Sequence, residues 1–381
     1  MKRLLIVLGL VVGLPLLAVG GLIVFLLVNE WVPGELEPVT FEPPGPENAA
    51  GEPLVAGRPF TLVSWNTQFA GGVNEAFFYG GGTRVQVPRD EVEANVRGQA
   101  AVIAGIAPDL LLLQELDRAS DRTHHIDQLP AFATAGRFVS VVSTPYHRAR
   151  FVPKPWLDPM GAVDMHLAVL SKAPMKDAER IALAMMDEPR FVQAANLKRA
   201  VLTVSIPVEG HPQPLAVAVT HLSAFSMGDG TLDKQVDRLV QWIEARPEGQ
   251  PWILAGDFNL LPPGEDKGRL SAEAAAHYVD AVNPIEKMLP KYKEVISDQL
   301  AVESRTYVPF GEKVADRKID YVFYGGPIEV LEAKVLAEHY PWSDHLPIMA
   351  RFRIGAAPVE PAVDPSAPVE PAPPVDEPPA P

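Results

Sequence analysis

Residues 4–28 form an unbroken apolar run without a charged side chain, preceded by Lys2 and Arg3. About 20 such residues are enough to span a bilayer. Ala18-Val19-Gly20 offers a small-x-small cleavage site for a signal peptide. Cutting there would leave Leu22 to Val28 as an apolar new terminus. The length therefore fits an uncleaved signal anchor over residues 1–28 better. With Lys2 and Arg3 retained on the cytoplasmic side, the chain is expected to be a single-pass cell-membrane protein whose main domain is non-cytoplasmic.

Beyond residue 57 the pattern changes. Residues 60–65, 110–113, 167–170, 201–206, 215–219, 252–255 and 321–324 are short apolar runs that read as strands. Residues 91–107 read as a helix, with Val92, Val96, Ala100, Ile103 and Ala107 on one face. Asp90 can cap its start and Pro108 ends it. Leu232, Val236, Leu239, Val240 and Ile243 also recur at helical spacing. Alternating strand and helix signals predict one α/β domain with buried strands over residues 58–354.

Two flanking stretches lack this patterning. Residues 29–57 are rich in Pro and Glu, including Pro33, Pro38, Pro43, Pro44 and Pro46, and read as an extended tether. Residues 355–381 are almost wholly Pro, Ala, Val, Glu and Asp. That composition cannot build a core, so a disordered Pro-rich tail acting as a solvated spacer is expected.

Composition narrows the chemistry. The chain has no cysteine among its 381 residues, which excludes disulfides, thiolate metal sites and a cysteine nucleophile. Any metal must bind carboxylate, amide or imidazole, a donor set that favours a hard ion such as Mg²⁺, Mn²⁺ or Ca²⁺. The net charge of -15 repels phosphate polymers at long range. It weighs against a dedicated DNA-binding module and leaves open an enzyme with a metal-filled cleft.

Candidate chemistry falls where the apolar runs stop. Asn66, Gln114-Glu115, Thr220-His221, and Asp257-Phe258-Asn259 each follow a predicted strand, and Ser343-Asp344-His345 precedes Leu346-Pro347-Ile348. Polar groups at the ends of buried strands collect at one rim, where ligands bind. Taken singly, each has a plain alternative: Asn66 as a turn cap, His221 as a core histidine, and Asp257 and Asn259 as an Asx-turn. His124-His125 reads as a solvated loop, because neighbours in extended chain point to opposite faces. Phe77, Phe78 and Tyr79 in residues 71–82 are either an apolar contact patch or a core-packed turn.

The ordered set of blocks is specific. Ser64-Trp65-Asn66, Leu113-Gln114-Glu115, Leu170-Ser171-Lys172, Lys198-Arg199-Ala200, Thr220-His221-Leu222, Gly256-Asp257-Phe258-Asn259, Lys318-Ile319-Asp320-Tyr321 and Ser343-Asp344-His345-Leu346-Pro347 resemble the endonuclease/exonuclease/phosphatase superfamily, in particular its deoxyribonuclease-like and sphingomyelinase-like branches. The resemblance implies a four-layer sandwich, two packed mixed β-sheets flanked by helices, here preceded by one transmembrane helix. It implies Glu115 as the main Mg²⁺ ligand, with Asn66 and Asp344 as direct or water-mediated partners. It implies Asp257 as the residue that orients or deprotonates the attacking water, with Asn259 steering the nucleophile or phosphate. His345, held by Asp320, would stabilise charge on the phosphate. His221 would protonate the leaving oxygen, with Asp164 as its supporting acid. His166 departs from the small residue usual at its position and is expected to decorate the cleft or to be a tolerated histidine.

The expected function is a membrane-anchored, divalent-metal-dependent phosphodiesterase using direct water attack, since no Ser stands in a nucleophile-elbow pattern. Nucleic acid is the slightly favoured substrate and a phospholipid headgroup diester the alternative. A non-catalytic anchored binding protein is the reading of another class. The expected partners are the phosphodiester substrate and the membrane, with no protein partner.

Overall fold

The computed structural model describes residues 2–42, 51–224, 228–279 and 282–355. The tail expected over residues 355–381 lies, but for Gly355, outside the described residues.

The apolar runs do become strands, and most extend past the run into the polar residues that follow. In chain order the strands are β1 (Leu36–Pro38), β2 (Leu54–Val55), β3 (Pro59–Asn66), β4 (Leu110–Asp117) and β5 (Ser140–Val152). Next come β6 (Gly161–Ser171), β7 (Lys176–Ala182), β8 (Ala200–Ile206), β9 (Val208–Glu209) and β10 (Leu215–His221). The last are β11 (Trp252–Asp257), β12 (Lys293–Glu294), β13 (Asp320–Gly325), β14 (Ile328–Val335) and β15 (Ile348–Ile354). One sheet has the order β1-β7-β8-β10-β11-β13-β12 and the other β14-β15-β3-β4-β6-β5. Both are mixed: β10 and β11 run parallel in the first, β3 and β4 in the second. The two parallel pairs face each other across the core, since β10 and β11 both touch β4. Their carboxyl ends therefore meet at one end of the sandwich.

The inter-sheet layer is apolar. Leu62, Leu110 and Leu112 from one sheet and Val217, Val219 and Ile253 from the other are buried in one cluster. Burying a side chain of this size contributes roughly 1.5–3 kcal/mol. The opposite face of β10 carries Ala216 and Ala218, and their small size admits the helix α5 (Thr231–Glu244) through Leu232, Val236 and Leu239. Here α5 is the fifth helix in chain order, after α1 (Lys2–Val28), α2 (Arg89–Ile106), α3 (Leu129–Gly136) and the single turn α4 (Arg190–Gln193).

Helix α2 confirms the predicted helix with altered ends. Pro88 takes the capping position and Asp90 lies inside the first turn. Ala107 ends the helix in a left-handed conformation, φ 50°. Its buried stripe is Val92, Asn95, Val96, Gln99, Val102 and Ile103; Ala100 is half-buried and Ala107 exposed.

Of the segment expected to be an extended tether, residues 29–42 and 51–57 are fastened to the domain, and residues 43–50 lie outside the described residues. β1 pairs with β7, β2 pairs with β9, and the Glu42 amide donates to Val141 O at 2.8 Å. Proline removes donors only at its own position, so an edge strand can still form around it. The helix α1 includes a segment, Leu10–Val28, that is long and apolar enough to cross a membrane, and that segment is almost wholly unburied by the protein.

A buried ion pair anchors the loop after β4. The Arg122 guanidinium donates to both Asp117 oxygens, at 2.8 and 2.9 Å, and stacks 3.6 Å over Phe69. Asp117→Ala leaves that cation buried without its counter-charge, which costs about 3–5 kcal/mol. Urea unfolding in detergent is expected to show that loss, and a change below about 1 kcal/mol would contradict this account.

Candidate active site

The sheet register delivers the site. His221 sits opposite Asp257 across the parallel pair, and Asp257 opposite Asp320 across the next ladder. On the facing sheet Asn66 lies beside Gln114. The ladder between β4 and β6 breaks between Leu113 and Leu116, and Glu115 there has φ 55°. A bulge re-aims a side chain, and this one turns Glu115 toward the other sheet. Gly256 is required where β11 meets β10: a Cβ there would lie 1.9 Å from Thr220 O.

Asn66 donates through Nδ2 to Glu115 Oε1 and Asp257 Oδ2, both at 3.1 Å. Its own oxygen accepts from the Gln68 amide at 3.0 Å. In this arrangement Asn66 orients two carboxylates and turns its oxygen away from them. Gln68, Phe69 and Ala70 follow with φ of 48°, 43° and 56°. Left-handed backbone costs roughly 1–2 kcal/mol per residue, so three in succession need outside support. It comes from polar side chains: Gln99 donates to Thr67 O, Asn95 to Ala70 O and Gln128 to Phe69 O. Gln99 also donates to Trp342 O, tying this turn to the loop bearing Asp344. Gln68 Oε1 accepts from the Asp344 amide at 3.3 Å.

Two histidines flank Asp257. His345 contacts Asp320 Oδ2 through Nδ1 at 2.9 Å, and its Nε2 lies 3.6 Å from Asp257 Oδ2. Burial works against its charge, but Asp320 and Asp257 outweigh burial and hold it well above the ordinary histidine range. His221 is the opposite case. Burial, then the charges of Arg199 and His345, push it well below that range. Its Nδ1 lies 3.0 Å from the Tyr146 hydroxyl and its Nε2 3.3 Å from Asp257 Oδ2. The neutral ring fits a tautomer in which Tyr146 donates to Nδ1 and Nε2–H donates to Asp257. Asp257 accepts the Asn259 amide at 2.9 Å through its other oxygen. Burial and the neighbouring carboxylates Asp320 and Glu115 outweigh His345 and raise Asp257 to about 7. Asp344 is likewise raised to about 7, by burial first and then by Glu115 and Asp320 against His345.

The donor set fits a divalent cation. Ligand atoms of Glu115, His221 and Asp257 lie within 4.8 Å of one another, as do those of Asp257, Asp320 and His345. Glu115, Asp257 and Asp344 line one cavity. Two of these carboxylates resist ionisation at neutral pH without added positive charge, which a bound dication would supply.

Other expectations change. Asp164 does not support His221: it pairs with Arg148 at 2.8 Å and His166 at 3.1 Å. Tyr146, on the unpredicted strand β5, takes the place beside His221. His166 is buried between Asp164 and Ser143 Oγ as a structural residue and does not decorate the cleft. His125 is exposed as expected and pairs with Asp121, while His124 bonds Val87 O at 2.7 Å. Phe77 is core-packed against Phe69, whereas Tyr79 remains 45% exposed. Arg199 stood in a family block with no role assigned; it lies 5.4 Å from the Tyr146 ring and lines the cavity. Tyr146, Gln68 and Gln99 carried no motif signal.

A model of the Endonuclease/Exonuclease/phosphatase family matches residues 63–345. The chain belongs to that family, and is a metal-dependent hydrolase acting on phosphate ester bonds. Among solved structures, the endonuclease/exonuclease/phosphatase from Beutenbergia cavernae DSM 12333 superposes with a TM-score of 0.51 at 24% identity, covering 79% of this chain and 73% of that one. A functionally unknown conserved protein from Enterococcus faecalis V583 superposes with a TM-score of 0.50 at 16% identity, covering 77% of this chain and 98% of that one. These likenesses concern the fold. No curated protein matches the chain.

Proposed function

We propose that the protein is a membrane-anchored, divalent-metal-dependent phosphodiesterase in which water attacks phosphorus directly. The observation that carries this reading is one carboxylate, Asp257, held between two buried histidines, His345 3.6 Å away and kept toward its cationic form by Asp320, and His221 3.3 Å away and pushed toward its neutral form by burial. A base poised near neutrality beside a cationic acid is what diester hydrolysis at neutral pH requires.

Glu115 would hold the ion, with Asp344 completing its acidic side and Asn66 fixing Glu115 in place. Mg²⁺ suits this oxygen-rich set, and Mn²⁺ and Ca²⁺ share its hard-donor preference. When bound, the ion neutralises phosphate charge and orients the group. Asp257 takes the proton of the attacking water. Asn259 aims Asp257 through its backbone amide. His345, charged and fixed by Asp320, faces the phosphate and donates to the leaving oxygen. His221 was expected to supply that proton; its neutral state fits instead a hydrogen bond that positions Asp257. The leading segment of α1 would anchor the chain, with the catalytic domain on the non-cytoplasmic side.

The test is hydrolysis of bis(p-nitrophenyl) phosphate by the full chain in detergent micelles. Mg²⁺-dependent release of p-nitrophenol is expected, stopping in EDTA and falling by at least about 10²-fold in Glu115→Ala. A folded parent inert with Mg²⁺, Mn²⁺ and Ca²⁺, or a Glu115→Ala variant matching its parent, would leave the non-catalytic binding protein standing.

A further inference from the structure

The catalytic cavity does not end at the polar site. It has a volume of about 1380 Å³ and reaches Val19, Leu22, Ile23 and Leu26 of α1. The same cavity holds Glu115, His221, Asp257 and His345. One wall is thus built from the helix that is long and apolar enough to cross a membrane. At about 1.5 Å per residue, Val19 lies roughly 13 Å along the helix from its last residue, Val28. A bilayer's hydrocarbon core is about 30 Å thick. With Val28 at the surface, the apolar end of the cavity lies level with the leaflet on the catalytic domain's side.

The helix is mounted rigidly enough to fix this placement. Glu30, just past its end, has a buried carboxylate that pairs with Lys198 at 2.9 Å and Arg190 at 2.7 Å. The Trp31 ring lies between the guanidiniums of Arg148 and Arg180, at 5.7 and 5.1 Å. Leu22 and Leu26 pack on Ala194 and Ala195. The β1–β7 pairing follows within a few residues.

Exposed apolar side chains stand at the cavity that α1 borders. Trp156 is 69% exposed and Leu157 fully so at the turn between β5 and β6, and Phe191 of α4 is 42% exposed. Trp156, Phe191, Met185 and Met186 all line the cavity. Large exposed apolar groups beside a membrane span mark a surface that meets lipid.

Building on the phosphodiesterase reading above, we infer that the substrate is an amphiphilic phosphodiester of the phospholipid class, entering sideways from the leaflet. Its phosphate sits among Glu115, Asp257 and His345 while its hydrocarbon lies along Val19, Leu22 and Ile23. Helix α1 is then a wall of the substrate site as well as an anchor. Water adds to phosphorus, the bond from phosphorus to the lipid oxygen breaks, and the proton given up through the base is balanced by one delivered to that oxygen. The products are a neutral lipid alcohol, which stays in the leaflet, and a water-soluble phosphomonoester. A nucleic-acid duplex fits this geometry poorly, because the bilayer occupies the approach to the α1 wall and the chain carries a net charge of -15.

The experiment reconstitutes the full chain into unilamellar vesicles of equal parts phosphatidylcholine, phosphatidylethanolamine, phosphatidylglycerol and sphingomyelin. Release of water-soluble phosphomonoester is measured beside hydrolysis of bis(p-nitrophenyl) phosphate and nicking of supercoiled plasmid. Mg²⁺-dependent release from the vesicles is expected. Leu22→Trp, which fills the cavity wall and keeps the span apolar, should lower the ratio of vesicle to soluble-diester rates at least ten-fold. Leu14→Trp, on an exposed part of the same helix, should leave that ratio unchanged. Hydrolysis of the soluble diester without vesicle lipid overturns the inference, and so does plasmid nicking in its place. Equal behaviour of the two tryptophan variants removes α1 from the substrate path. Failure on the soluble diester as well removes the phosphodiesterase reading itself.

Discussion

His345→Ala is expected to lower kcat on bis(p-nitrophenyl) phosphate by about 10³-fold while the fold survives. A positioned general acid contributes typically about 10²–10⁴-fold, and this variant also removes the cation nearest Asp257. The role of Asp320 can be separated from it. Asp320→Asn keeps a hydrogen-bonding side chain beside Nδ1 but removes the negative charge that opposes burial in keeping His345 protonated. The sign follows directly. In the parent, His345 is held well above the ordinary histidine range, so the acid form persists through neutral pH. Without the Asp320 charge its range drops, and the alkaline limb of the kcat profile should move to lower pH. A uniform loss of rate with an unmoved pH profile would show that Asp320 serves only packing. Retention of more than about a tenth of the parent rate by His345→Ala would remove this residue from the chemistry.

Metal affinity should depend steeply on pH, in a direction the site fixes. Asp257 and Asp344 are raised from the ordinary carboxylate range to about 7. Below that value they hold protons that a cation must displace; above it they are already ionised. Displacing one proton makes apparent affinity rise by about ten-fold per pH unit. Mg²⁺ affinity, read by titration calorimetry on the full chain in micelles, is therefore expected to climb between about pH 5 and pH 7 and to level off above. Buried neutral histidines such as His147, held down to about 3 by burial, affect stability against pH in both the metal-free and loaded states. They largely cancel from a difference between the two. Asp344→Asn should weaken binding and flatten the climb. An affinity independent of pH from 5 to 8 would mean that Asp344 does not meet the ion and that a bound cation does not draw Asp257 into its ionised form.

Much of this arrangement was legible beforehand. Asn66, Glu115, His221, Asp257, Asn259, Asp320, Asp344 and His345 are short polar blocks after or before buried strands, and the structure gathers them at one end of the sandwich. Strand ends are readable because a continuous apolar run leaves no doubt where the core stops. Strands β5, β7, β14 and β15 were not readable in the same way. Arg148 and Arg150 in β5 and the alternating charged positions of β14 break the apolar run, because these strands have an exposed face or edge.

Side-chain partners were the hardest to read. Asp164 appeared suited to His221, and the structure pairs it with His166 and Arg148 instead. Tyr146 had no sequence signal, since a single tyrosine among basic residues forms no motif. The bulge at Glu115 and the left-handed turn at Gln68 to Ala70 likewise leave no mark, because none of these residues is a glycine that would announce positive φ.

What the sequence determined by itself was the order of buried and polar segments, the membrane-length helix and the donor types available for a metal. Those follow from local composition and period, which one stretch of chain carries alone. The tertiary structure decided which carboxylates crowd together, which histidine is charged and which neutral, and that Pro-containing residues 29–42 are clamped rather than free. It also decided that α1 borders the catalytic cavity. Each of these depends on distances between residues far apart in the chain, where burial and neighbouring charge set the chemistry.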